Sequence, residues 1–311
     1  EEGEEVAVQW LEASGRETEL TQMTGANWTR ISPDGKRLAY LSNQGGHANL
    51  WNFDWQRNVK TKMTFEHDPE RFAWTPDSRA VIFSSTNSLY WTRADGAARV
   101  QKLREERNGL FIHDIAPDGK TVSFARSGGQ GQRLMLAPLE YKGAPSGDAA
   151  PQIGKPEPCC DEGGRGVTAS RFSSDGKWIA YNVLEALGTH VYVRSVPDSG
   201  AKWQVSGSEG GASPVWSPNG RELFFKTTLG RIMAVDYTTK AGVFTPGTPR
   251  LWTEHRVPGN IVVGNLSLAP DGKRMVVLGR LGEKRQETAP AATVLVHFFE
   301  EVRRRAQASG Q

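Results

Sequence analysis

Six copies of one short hairpin signature run down this chain: Ser32-Pro33-Asp34-Gly35-Lys36, Thr75-Pro76-Asp77-Ser78-Arg79, Ala116-Pro117-Asp118-Gly119-Lys120, Ser173-Ser174-Asp175-Gly176-Lys177, Ser217-Pro218-Asn219-Gly220-Arg221 and Ala269-Pro270-Asp271-Gly272-Lys273. Proline pre-sets φ for the first corner of a type I turn, Asp or Asn suits the second, and Gly supplies the left-handed residue from which the next strand starts. An apolar residue precedes each copy (Ile31, Trp74, Ile115, Phe172, Trp216, Leu268) and an apolar run follows it, so each signature is read as a tight turn between two buried strands. The acidic or amide position recurs at 34, 77, 118, 175, 219 and 271, giving intervals of 43, 41, 57, 44 and 52 residues.

A period in the low forties holds four short strands and their turns, the content of one propeller blade. The first repeat reads in full as strands over Arg37–Ser42, Ala48–Trp55, Val59–Phe65 and Glu70–Thr75. Runs such as Ala80-Val81-Ile82-Phe83 and Met275-Val276-Val277-Leu278 are apolar without alternation. That pattern requires burial on both faces, as for a strand sandwiched between neighbouring blades. The expected fold is all-β: a six-bladed β-propeller forming one domain over residues 1–311, with 143–166 as an inserted loop and 300–311 as a C-terminal tail. The ring is expected to close by pairing N-terminal strands, Glu5–Leu11 and Thr18–Met23, with a C-terminal strand at Thr293–Phe299, which covers edges otherwise left open. Together the ends offer one strand more than a blade needs. Glu300 to Arg305 runs from acid to base, the order that favours a short helix.

Composition narrows the function classes. A net charge of +3 over 311 residues, with basic residues spread through the turns, speaks against nucleic acid as partner. No apolar stretch approaches the roughly 20 residues of a membrane span, and Glu1-Glu2-Gly3-Glu4-Glu5 has no signal-peptide pattern. Such a start suits a mature secreted form or an excised domain, and a monomer is expected. The two cysteines, Cys159 and Cys160, are adjacent. They are read as surface-loop thiols, the competing readings being a redox-sensitive vicinal pair or an intermolecular bridge.

The Pro-Asp-Gly-Lys turns preceded by Trp-Ser or Trp-Thr resemble those of TolB-type, WD40-like propeller repeats, and the resemblance covers essentially the whole chain. The end segments, Val8 to Glu17 and Val294 to Val302, are similar to those of propellers that follow serine/threonine kinase domains in some bacteria. This resemblance implies a bacterial sensing or binding propeller, extracytoplasmic and part of a larger signalling protein. Ser78 in place of the turn Gly, Ser174 in place of Pro and Asn219 in place of Asp depart from the repeat pattern.

Kinase chemistry is missing from these residues: there is no glycine-rich phosphate loop, His-Arg-Asp triplet or Asp-Phe-Gly. The clusters Gly128-Gly129-Gln130-Gly131 and Gly163-Gly164-Arg165-Gly166 lack a strand-to-helix context and read as loops. In a propeller, the loops entering the innermost strands share one face with the hairpins between second and third strands, around the channel mouth. Trp28, His67, Glu70, Arg71, Arg107, Asn108, Arg165, Glu209, His255 and Arg256 are the ligand-binding candidates on that face. A mixed-charge rim with arginines suits a peptide, protein or carbohydrate partner, and arginine clamps favour carboxylates. No cofactor, metal or catalytic residue is assigned, because none of the histidines has short ligand spacing. Two other classes compete: a propeller lyase or glycoside-acting hydrolase using mouth histidines and carboxylates, and a structural interaction domain presenting an apolar rim patch.

Overall fold

The computed structural model describes residues 4–128, 131–142, 149–160, 162–163, 165–257 and 266–280, and within them the six turns sit where the repeat places them. Each turn is closed by the same two devices. The N–H of the left-handed residue donates to the carbonyl three positions back (Gly35 to Ser32, 2.8 Å; Ser78 to Thr75, 2.9 Å; Gly220 to Ser217, 3.0 Å). The side chain at the Asp position then accepts the N–H two residues on, from Lys36 to Asp34 at 3.1 Å through to Lys273 to Asp271 at 2.8 Å. This second bond needs an acceptor rather than a charge, so Asn219 serves as well, taking the Arg221 N–H at 2.9 Å. Gly35 has φ of +70°, and a Cβ there would lie 2.8 Å from the Pro270 ring of a neighbouring turn. Ser78 holds the equivalent position at φ +62°, and its hydroxyl accepts the Asp34 N–H at 2.9 Å, tying two turns together.

The strands assemble into six sheets. β1 (Glu5–Glu12) and β2 (Glu17–Thr24) come first in the chain but belong to the last blade. Blade one is β3 (Ala26–Ile31), β4 (Arg37–Gln44), β5 (His47–Asp54) and β6 (Val59–Lys62), in that order from the centre outward. Blade two is β7 (Arg71–Trp74), β8 (Ala80–Ser85), β9 (Ser88–Arg93) and β10 (Gln101–Glu105). Blade three is β11 (Leu110–Ile115), β12 (Thr121–Gly128) and β13 (Gly131–Glu140), flanked by β14 (Gln152–Ile153) and β15 (Glu157–Pro158). Blade four is β16 (Val167–Phe172), β17 (Trp178–Glu185), β18 (Gly188–Ser195) and β19 (Trp203–Gln204). Blade five is β20 (Ala212–Trp216), β21 (Glu222–Lys226) and β22 (Arg231–Lys240), with β23 (Val243–Pro246) and β24 (Arg250–Arg256) both on β22. Blade six combines β25 (Ser267–Leu268) and β26 (Arg274–Arg280) with β1 and then β2, in the order β25-β26-β1-β2.

The two long intervals have structural explanations. In blades three and five the fourth strand is divided, so that two short segments pair with different parts of a ten-residue third strand. Part of the 143–166 segment is therefore sheet rather than loop. Closure uses both parts of the chain: Val8 opposes Leu278 on one side and Thr21 on the other. The sheet has its four strands without Thr293–Phe299, which lies outside the described residues, as do the proposed helix and the tail.

Six apolar clusters fill the structure, each spanning two neighbouring blades. Trp28, Leu41, Phe72 and Phe83 join blades one and two, whereas Trp178, Val193, Trp216 and Phe225 join blades four and five. The tryptophan before a turn is wedged between blades and bonded across the joint. Trp74 Nε1 donates to Arg30 O at 3.0 Å and Trp216 Nε1 to Arg171 O at 2.9 Å. A buried indole N–H needs such a partner, and here the partner fixes blade to blade.

Candidate functional site: the arginine-lined central channel

The innermost strands β3, β7, β11, β16, β20 and β25 surround a central channel, and their pleat decides which side chains reach it. The residue two positions before each turn signature faces the lumen in five of the six repeats: Arg30, Asp114, Arg171, Val215 and Ser267. They line a cavity of about 410 Å³ that opens on the turn face, rimmed by Ser32, Pro33, Pro76, Pro117, Ser173, Ser174, Ser217, Pro218 and Pro270. Its walls also carry apolar groups, including Trp74, Phe172, Trp216 and Leu268. Further along the axis the lumen narrows to a neck of about 10 Å³, lined by Trp28, Arg71, Ile112, His113, Ala169, Arg171 and Ser213 among others. A void of that size holds one water at most.

Three guanidinium groups share this lumen. Arg30, on blade one, reaches across blade two to blade three: Nη2 bonds Asp114 Oδ1 at 2.6 Å, and Nη1 bonds the carbonyls of Phe72 at 3.3 Å and His113 at 3.2 Å. Arg71 donates from Nη1 to Thr168 O at 2.5 Å and lies 3.0 Å from His113 Nε2. Its guanidinium also stands over Trp28 at 5.6 Å and Phe111 at 5.1 Å from the ring centroids. Arg171 donates from Nη1 to His113 O at 2.7 Å. The other oxygen of Asp114 accepts the Phe172 N–H at 2.9 Å, closing the joint between blades three and four.

Burial pulls Arg171 down to about 9, with the Arg30 and Arg71 charges adding to it and Asp114 opposing. Burial likewise lowers Arg71 to about 10. Both remain cationic at neutral pH. His113 is fully enclosed, and burial, reinforced by Arg71, Arg171 and Arg30, holds it well below 6.5. Its neutral ring is placed by Arg71 on Nε2 and by Ser170 Oγ at 3.2 Å on Nδ1. An unfolded chain takes up a proton near pH 6.5 that the folded chain refuses, so the stability from neutral His113 is complete above that pH and declines below it. We predict a loss approaching about 1.4 kcal/mol per pH unit between pH 6.5 and the lowered value. Urea midpoints from pH 8 to 5 for the wild type and His113→Gln check this: the difference between them should change only below pH 6.5, and parallel curves would refute it.

Of the ten sequence candidates, Trp28 and Arg71 meet in the neck. Asn108 and Arg165 line a separate cavity of about 630 Å³ between blades three and four, together with Arg126, Arg133, Cys160 and Glu162. Arg165 is engaged there by Glu185 at 3.2 Å and by the Glu162 carbonyl at 2.9 Å. His67 packs edge-on against Tyr90 at 4.6 Å. Glu70 accepts the Thr86 N–H at 3.3 Å, and burial raises its carboxyl. Glu209 pairs with Arg231 at 3.2 Å, and His255 pairs with Glu17 of the last blade at 2.6 Å. Arg107 and Arg256 are exposed. The residues the sequence reading missed are Arg30, Asp114, Arg171 and, as a lumen group, His113. For Arg30, Asp114 and Arg171 the signal was present in the fixed offset from each turn.

Cys159 and Cys160 are a correction. They are joined as a vicinal disulfide and buried, packed with Leu134, Val167, Phe172 and Tyr181, instead of lying as thiols on a surface loop. The short strand β15 draws the pair in: the Cys159 N–H extends its pairing with β13 by bonding Leu134 O at 2.9 Å. Among the described residues no three His, Cys, Asp or Glu side chains gather as a metal-binding group.

No protein-family model matches the sequence, and no curated protein matches it. Solved structures do resemble it. A putative TolB from Agrobacterium tumefaciens superposes with a TM-score of 0.65 at 17% identity, over 88% of this chain and 97% of that one. TolB from Acinetobacter baumannii gives 0.56 at 15% identity, over 89% of this chain and 64% of the other. A putative 6-phosphogluconolactonase from Bacteroides uniformis gives 0.54 at 18% identity, over 86% and 87%. At such identities the likeness concerns the fold, and the fold it gives agrees with the six sheets described above: the chain has a six-bladed, TolB-like β-propeller fold.

Proposed function

We propose that this propeller is a noncatalytic binding module that receives a peptide, protein or carbohydrate partner at the turn-face mouth of the channel, the end opposite to the entry-loop mouth expected from the sequence. The observation that carries the reading is the 410 Å³ cavity framed by the turns, with apolar walls and charged groups at its base. An enzyme reading fits the same place less well. Asp114 is the one carboxylate lining it among the described residues, and both its oxygens are committed, to Arg30 and to Phe172. General acid–base hydrolysis of a glycoside calls for a second carboxyl across a gap.

A sensing role within a larger signalling protein rests on the resemblance of the terminal segments to kinase-linked propellers. An extracytoplasmic site of action rests on the same resemblance. No helix among the described residues is long and apolar enough to cross a membrane. A second reading, an interaction domain, is favoured by Leu184, Leu187 and Leu229, which are 52%, 99% and 53% exposed at the hairpins between second and third strands of adjacent blades.

Peptide and glycan array screens with the wild type, Ser174→Trp and Leu187→Glu test both. Ser174 is exposed at the rim, and a Trp in its place obstructs the mouth. Ligands lost at least tenfold by Ser174→Trp alone are the expected result. Ligands lost only by Leu187→Glu would transfer the function to the opposite face, and chemical turnover of a bound ligand would overturn the noncatalytic reading.

A further inference from the structure

The charges in the lumen do not balance. Three guanidinium groups, Arg30, Arg71 and Arg171, stand against one carboxylate among the described lumen residues, Asp114, which is paired to Arg30 at 2.6 Å. Arg71 and Arg171 have no carboxylate within ion-pair distance among the described residues. Their hydrogen bonds go to neutral acceptors, namely the carbonyls of Thr168, His113 and Ser170 and the neutral ring of His113. Such bonds orient a guanidinium without neutralising it; Glu70 and Asp114 favour the Arg71 and Arg171 charges only from beyond ion-pair distance, and a cation with no contacting counter-ion away from bulk water is costly to keep. If the only role were to tie blades together, a neutral donor such as Gln would make the same kind of bonds without that cost.

Arg171 is placed to use the surplus. It lines both the wide cavity and the neck, and among the described residues it bonds protein only through Nη1, so that Nε and Nη2 have no partner among them. Two adjacent N–H groups on one edge of a guanidinium match the two oxygens of a carboxylate, or two oxygens of a phosphate. Arg30 stands on the same cavity, and the Arg71 charge acts through the neck. The neck is too narrow for a ligand to pass, so entry is from the turn face, past walls formed by Trp74, Phe172, Trp216 and Leu268.

From this we infer that the lumen is an oxyanion site, in which Arg171 and Arg30 hold the carboxylate or phosphate of a ligand whose apolar body lies against the turn-face walls. The inference deepens the binding-module reading and rests on it for the choice of mouth. It also commits to a charge on the ligand, which that reading does not need.

Isothermal titration at low ionic strength with 3-phenylpropionate, its neutral amide and inorganic phosphate separates the cases. The expected result is binding of the carboxylate at least tenfold tighter than of the amide; phosphate binding as well would show that the head group alone suffices, whereas phosphate failing where phenylpropionate binds would assign the site to carboxylates with an apolar body. Arg171→Met should weaken the carboxylate at least tenfold, leave the amide unchanged and, without ligand, melt no lower than the wild type, because it removes an unmatched cation. A merely structural arginine would give the opposite pattern, a lower melting temperature with unaltered carboxylate binding. Should Arg171→Met not fold, the carboxylate-to-amide ratio on the wild type decides alone. Equal affinities, or no oxyanion binding by folded wild type at about 10 mM, would overturn the inference while leaving a neutral-ligand module intact if the arrays still find ligands blocked by Ser174→Trp. Tight carboxylate binding with no array ligand would have the reverse meaning.

Discussion

Removal of residues 1–24 is expected to abolish cooperative unfolding altogether, leaving a chain that elutes as aggregate in size-exclusion chromatography and shows no sharp thermal transition by circular dichroism. The reason is the composition of the last blade. β1 lies between β26 and β2, and its two faces serve two different cores. Val8 packs into the cluster with Ile31, Leu38, Phe53 and Val276, whereas Leu11 packs with Phe224, Ile232, Met275 and Val277. Val8, Leu11 and Met23 are fully or almost fully buried, and burial of such side chains contributes roughly 1.5–3 kcal/mol each. Together that is about 5–9 kcal/mol, comparable with the roughly 5–15 kcal/mol that a whole domain has in hand. Truncation would also leave β26 as an open edge with Met275, Val276 and Val277 uncovered, a template for association with other chains. A synthetic peptide covering residues 1–24, added in trans, should restore the transition. A truncated protein that stays monomeric and melts sharply would show that another segment can take the place of β1 and β2.

The second large effect is expected at Asp114. Replacement by Ala should lower the free energy of unfolding in urea by about 2–3 kcal/mol, below the range for a fully buried ion pair because both side chains keep some exposure to the cavity. Three losses coincide. Arg30 loses its 2.6 Å partner, the Phe172 N–H loses its acceptor, and the one carboxylate opposing Arg171 disappears. Because the damage is largely the stranded charge, Arg30→Met introduced into Asp114→Ala should recover part of the stability, a coupling that a double-mutant cycle reads directly. Asp114→Asn keeps an acceptor and should fall between Ala and the wild type. A change below about 0.5 kcal/mol in Asp114→Ala, the usual size of a surface substitution, would mean that the lumen is wet enough to screen these charges.

The six turns are the part of this protein that its sequence states outright. Each one needs a fixed φ, an acceptor and a left-handed residue within four positions, all local requirements, so Asp34, Asp118 and Asp271 reveal their roles by type and spacing alone. The departures obey the same local logic: Asn219 keeps the acceptor, and Ser78 tolerates the left-handed φ while gaining a bond to Asp34. The apolar strand after each turn follows as directly, because a strand between two blades has no wet face.

The channel was much less legible. The ten candidate residues were chosen by membership of loops on one face, yet the loops are spread around the ring, and Glu209, His255 and Asn108 end beside different neighbours. Facing the axis is a property of strand pleat, and irregularities in register within β3, β11, β16 and β20 disturb a simple alternation count. Even so, the offset from the turn places Arg30, Asp114 and Arg171 at equivalent positions, a regularity visible in the sequence once the turn is used as the ruler. That these three, with Arg71 and His113, share one small space is a different matter. Arg30 reaches Asp114 across 84 residues, and Arg71 reaches Thr168 across 97, by spanning the lumen between blades. Local sequence determined the turns and strands because their bonds close within a few residues; only ring closure, driven by apolar faces shared between blades, brought the arginines together and set how little carboxylate they would find.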